Sequence, residues 1–191
     1  MSTKDLFRLS ALAAILSSGL AFLTALVSMF AVLIPGILDL VVTGLVWITD
    51  LFIFFALVGF YGVQTRETGG LGLAGLTLAV LAIPATVLVP PLGFPVFLMG
   101  ILLFAIANMR ARVLPAGGMW LWFAGAMVAV PAAFLGLRIL FALGLVVIGC
   151  GRAWLGIALW SLAERDSESS HREALVTSTA DGRARVIQSE S

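Results

Sequence analysis

Apolar positions in this chain come in long blocks, with no alternation between two faces. From Leu9 to Leu38, thirty consecutive positions carry no charge. A membrane-spanning helix needs about 20 mostly apolar residues, and the blocks predict six of them. The first runs from Leu6 to Ile34 and stops at Pro35-Gly36, and the second from Leu38 to Gly62. The loop Gln64 to Gly69 follows, and the third runs from Gly70 to Val89, up to Pro90-Pro91. The fourth, from Leu92 to Met109, has Pro95 in its first turn, where proline is tolerated. Arg110 and Arg112 close it, and Pro115 to Gly118 form the next loop. The fifth runs from Met119 to Gly136 and the sixth from Ile139 to Leu162. No polar loop separates these last two, so that division rests on Pro131, Gly136 and Arg138 alone. The expected fold is all-α, a polytopic transmembrane helix bundle over residues 1–163, followed by a polar tail over 164–191.

Composition narrows the class further. The chain is 61% hydrophobic and 11% charged, against about 25% charged in an ordinary soluble domain. Ten of the charges lie in the tail, which leaves too few to coat the rest in water. A soluble globule, a coiled coil and a disordered chain are excluded, and the lipid bilayer is the first partner. The tail has the composition of a disordered segment, with a short helix around His171 to Val176 at most. A net charge of +1 offers nothing to nucleic acid. Cys150 is the sole cysteine and His171 the sole histidine, so neither an internal disulfide nor a His/Cys metal site can form, and no cofactor is expected. Lys4 and Arg8 precede an apolar block, as in a signal peptide, but a signal core is about 7–15 residues. This block is twice that and reads as a retained span.

The positive-inside rule sets the orientation. With the N-terminus inside, Lys4, Arg8, Arg66, Arg110, Arg112 and the tail arginines are cytoplasmic, and Arg138 alone is outside. Tyr61, Trp120, Trp122 and Trp160 then fall at the cytoplasmic interface. The expectation is a multi-pass protein of the cell membrane with both termini cytoplasmic. Small residues let helices approach closely in lipid. Ala13, Ser17, Ala21 and Ala25 share a face of the first span. Gly125, Ala129, Ala132 and Gly136 recur on the fifth. They suit bundling within the chain, or a seam with itself or another membrane protein. A faint repeat also matches the second and third spans, with Phe55-Ala56, Gly69-Gly70 and Pro84, to the fourth and fifth, with Phe104-Ala105, Gly117-Gly118 and Pro131.

Two residues look like chemistry. Asp50 lies 11 residues before Tyr61 and Arg152 lies 10 before Leu162, so each is about 15 Å from the same end of its helix. Opposite charges therefore reach one depth near mid-membrane, where an unpaired charge costs about 2.5–3.5 kcal/mol on insertion scales. An intramembrane ion pair between Asp50 and Arg152 is expected, with Gly149 and Gly156 leaving room for a second helix and for the guanidinium. Thr43, Trp47 and Asp50 line one stripe, with Asp39 at its outer end. Gly70 to Gly75 spells G-x-G-x-x-G, but it follows a span and not a strand, so the glycines read as packing residues. No intramembrane histidine, H-E-x-x-H or G-x-S-x-G is present, and Asp39 and Asp50 are too far apart to share acid–base work. No catalytic residue is assigned, and an enzyme is disfavoured.

Helices two to six resemble the small six-span integral membrane proteins of bacteria and archaea. The resemblance rests on Leu57 to Tyr61 with the Gly69-Gly70-Leu71-Gly72 re-entry, Arg110 to Pro115, and Ala153 to Trp160. It implies six spans and carries no activity over. The reading favoured by so few polar groups is a structural, accessory or regulatory membrane component. The alternative is a small carrier or channel using Asp50 and Arg152. A carrier should show a cavity reaching Asp50, whereas a scaffold should show the pair dry and enclosed.

Overall fold

The computed structural model describes the backbone of residues 3–31, 34, 36–112 and 114–189. Side chains are described within residues 5–165, apart from 63–69, 87–88, 90–91 and the short breaks. Lys4, Arg66 and the tail arginines beyond Arg165, which carry part of the expected orientation, lie outside the described side chains. Among the described residues there are five helices and no strands: α1 Thr3–Phe30, α2 Ile37–Leu88, α3 Pro90–Ala111, α4 Ala116–Phe134 and α5 Arg138–Ser189. Five stretches are long and apolar enough to cross a membrane: Asp5–Phe30, Ile37–Gly62, Leu92–Ala111, Ala116–Phe134 and Arg138–Arg165. Gly70–Thr86 is a sixth apolar helix of lesser length, just short of a hydrocarbon core of about 30 Å. Beyond Arg165 the helical path of α5 continues through the polar tail to Ser189.

The 52 residues of α2 would make a straight rod of about 78 Å. Yet Val46 and Asp50, near its start, line the same cavity as Ile83 and Thr86, near its end. The chain therefore doubles back between its limbs Ile37–Gly62 and Gly70–Thr86, and the bundle has six apolar rods built from five helices. Val89 alone separates α2 from α3, and Gly93 then passes so close to the backbone of Ala85 and Thr86 that a Cβ there would collide with it. Gly136 ends α4 at φ 68. The Leu137 N–H donates to the Ala132 carbonyl at 2.8 Å and the Gly136 N–H to the Ala133 carbonyl at 3.4 Å, the double bond of a left-handed helix stop. This turn supplies the division between the last two spans without any polar loop.

Small residues mark the seams. Ala13, Ser17, Ala21 and Ala25 are all buried, where α1 packs against α2 and α5, so this stripe serves the chain's own bundle. The Ser18 hydroxyl donates to the Gly149 carbonyl at 2.8 Å and ties α1 to α5. Gly125 lies against Gly144 and Ile148, and Gly144 against Ala129, which closes α4 onto α5. Gly75 lies against Gly100 and Phe104 and joins the second limb of α2 to α3; that glycine of the G-x-G-x-x-G run is a packing residue. Leu57, Phe60, Met119, Leu155 and Leu159 fill the interior, while Leu16, Leu51, Phe55, Leu143 and Ile157 face outward. An outside as greasy as the inside suits lipid, where association relies on close packing and not on hydrophobic burial.

A methyl group at Gly144 would lie 2.6 Å from the Ala129 nitrogen, whereas one at Gly44 meets nothing within 4 Å. Gly144→Ala should lose about 1–3 kcal/mol through overpacking, and Gly44→Ala should stay within about 0.5 kcal/mol of the parent. Equilibrium unfolding in mixed micelles measures both.

Candidate functional site

Three rods bring the candidate residues together. The first limb of α2 supplies Thr43, Trp47 and Asp50, α4 supplies Trp122, and α5 supplies Arg152. All five line a cavity of about 450 Å³. Its remaining walls are apolar apart from Thr86, with Ile83, Phe94, Phe97, Ala129, Phe141 and Leu145 prominent. The hollow follows from sequence on α4. Ala126, Ala129 and Ala133 sit one, two and three turns beyond Trp122 on its face, and their short side chains leave the space open.

Arg152 is 6% exposed. Its guanidinium carbon lies 5.0 Å from the Trp122 ring centroid, within cation–π range. Its Nε has no hydrogen-bond partner, nor has the indole nitrogen of Trp122, itself 1% exposed. Among the described residues Asp50 has no hydrogen bond either, and the two charges couple only through space. The expected direct salt bridge between them is therefore absent: both sides reach one cavity without touching. Two physical causes are visible. The aromatic face of Trp122 holds the guanidinium. In addition, Gly149 and Gly156 admit Phe22, Ala11 and Ile15 of α1, so the second helix expected there takes the room that the guanidinium was to share. The Thr43 hydroxyl donates to the Asp39 carbonyl at 2.9 Å and that of Thr86 to the Ile83 carbonyl at 2.6 Å. Both protons serve the helix backbone, which leaves only acceptor lone pairs for the cavity.

The contact ion pair among the described residues is Arg138 with Asp39, at 2.8 Å. A second guanidinium nitrogen donates to the other carboxylate oxygen at 3.3 Å, a two-pronged geometry with strong directional preference. Each residue opens a helix just after a glycine turn, Asp39 after Gly36 and Arg138 after Gly136, and both turns lie at one end of the bundle. Asp39 also accepts the Gly36 N–H at 3.3 Å. The pair borders a smaller hollow of about 230 Å³ that shares Val42, Ala133 and Phe141 with the main cavity. It stands at that cavity's rim.

Sequence reasoning placed Asp39 on the right stripe but gave it no partner, although a helix-initial acid and a helix-initial arginine at the same end were a usable signal. It placed Trp122 in an interfacial belt. The structure corrects this, because Trp122 is a cavity wall. Phe94 and Phe97 were not picked out, since nothing local distinguishes a cavity wall from a lipid face.

Comparison with known protein families, with curated proteins and with solved structures finds no match. The class rests on the fold itself: an all-helical bundle with five helices suited to crossing a membrane, with a partly polar cavity between its helices.

The rim pair is half-exposed, so its strength should depend on salt. Asp39→Arg alone should lower the melting temperature in detergent, and Asp39→Arg with Arg138→Asp should restore most of it. Wild type should lose part of the advantage at high ionic strength. A double variant no better than the single one would contradict the pairing.

Proposed function

We propose that this chain is a small carrier or ligand-binding protein of the cell membrane, whose chamber admits a polar group to Asp50 and Arg152. One observation carries this reading: a cavity of about 450 Å³ reaches both charged side chains, no salt bridge joins them among the described residues, and the Arg152 Nε has no hydrogen-bond partner there. A register-fixing ion pair would be joined and enclosed, because a buried charge is tolerable when paired and expensive when alone. Stability alone gives no reason to keep an arginine here. The basic residues near the α1 start and the α3–α4 turn support cytoplasmic termini, which puts the rim pair on the outer side.

A second reading, an accessory component of a larger membrane assembly, draws on the first limb of α2. Only 22% of its most apolar window is buried, against 39–44% for the other spans, and Ile48, Leu51 and Phe55 point outward from it.

Two measurements test the first reading. Val46→Cys in a Cys150→Ser background, in liposomes, should react with a small water-soluble methanethiosulfonate, since Val46 lines the chamber. An unreactive thiol would mean that the chamber is sealed. Arg152→Met, which keeps the volume and removes the charge, should melt at or above the wild-type temperature. Loss of folding in Arg152→Met would instead assign the arginine a purely architectural role.

A further inference from the structure

Resting on the chamber reading above, we infer the class of ligand: a small zwitterion that carries an ammonium and an acid group on an apolar body. Arg152 holds the acid and Asp50 the ammonium. The two charges of the chamber are complementary to both. A simple anion would satisfy Arg152 but leave a carboxylate facing another negative group. A simple cation would satisfy Asp50 and oppose the guanidinium. A ligand with one charge of each sign gives both side chains an opposite partner and leaves no net charge in an apolar interior, where an unbalanced one is expensive.

The hydrogen-bonding inventory agrees. Arg152 is a donor without acceptors, and an ionised Asp50 is an acceptor without donors. The Trp122 ring lies against the guanidinium and holds it at the cavity wall. Trp47 lines the same cavity as Asp50, and aromatic faces favour ammonium groups. The two threonine hydroxyl protons are already committed to backbone carbonyls. The rest of the lining is apolar, so the remainder of the ligand is too. At about 450 Å³ the space falls in the range of small-molecule sites, about 300–1,000 Å³. Two sources offer this chemistry: a free molecule of the apolar α-amino acid type, or the headgroup of a zwitterionic lipid.

The test uses the full chain in nanodiscs of phosphatidylglycerol, which lacks an ammonium group. Thermal unfolding is followed against phenylalanine, 3-phenylpropionate and phenethylamine, which share one apolar body and carry both charges, the acid alone, or the amine alone. Phenylalanine should raise the melting temperature. The other two should need about ten-fold higher concentrations or more, because each forfeits hydrogen bonds to a charged group. Asp50→Asn should move the preference toward 3-phenylpropionate, and Arg152→Met toward phenethylamine. A second arm adds phosphatidylethanolamine to the nanodiscs. Protection by that lipid, with phenylalanine then excluded, identifies the headgroup as the source; undiminished phenylalanine binding identifies the free molecule. Equal protection by either singly charged analogue overturns the zwitterion and leaves the chamber standing. No protection by any compound or lipid overturns it too, and an unreactive Val46→Cys in the same preparation removes the chamber with it.

Discussion

A guanidinium enclosed by apolar helices has to be neutralised or solvated by something. That constraint governs how this bundle can be understood. Arg152 sits on α5 with α1 packed behind it and Trp122 in front. Its single intramembrane acid partner, Asp50, stands across a cavity and not in contact. The ring of Trp122 supplies some of the missing stabilisation, of order 1–2 kcal/mol when desolvated. That is less than the cost of an isolated charge at mid-membrane. Water or a ligand has to supply the remainder, and the cavity provides the volume for either.

The rest of the fold can be seen as the scaffold that keeps this volume open. Glycine and alanine seams draw α4 onto α5 and the second limb of α2 onto α3 until backbones nearly touch. Such contacts fix helix positions with little freedom, since an added methyl has nowhere to go. On α4 the same small residues turn from seam to hollow: Gly125 meets Gly144, whereas Ala126 and Ala133 face the cavity. Tight seams beside an unfilled interior are unusual in a protein selected for stability alone, and they fit a site that exchanges its contents. At the rim, Asp39 and Arg138 join two helix starts and stand where a ligand entering from that end would pass.

Much of the architecture could be read from residues alone, because lipid imposes a simple rule. Uncharged blocks long enough to span predicted six rods, and the turn at Gly136 falls where expected, whereas α2 runs as one helix through the loop expected at Gln64 to Gly69. The stripe Thr43, Trp47 and Asp50 also follows from helical spacing, and all three residues meet one cavity. The failures have a common origin. Depth along a helix can be counted, but rotation about its axis cannot. Asp50 and Arg152 were matched in depth, and their facing was left to assumption. Trp122 was placed by depth at an interface when its rotation points it inward. Gly149 and Gly156 were expected to admit both a second helix and the guanidinium, and it is the helix, α1, that packs against them. In soluble proteins a polar face would have revealed rotation; a helix apolar all round conceals it.

Native mass spectrometry of the protein released from lipid particles tests the central claim most directly. If the chamber exists to hold a ligand against Arg152, wild type should carry a bound small molecule or a selectively retained lipid, and Arg152→Met should be bare. Wild type and Arg152→Met with identical, ligand-free masses, both folded, would contradict it.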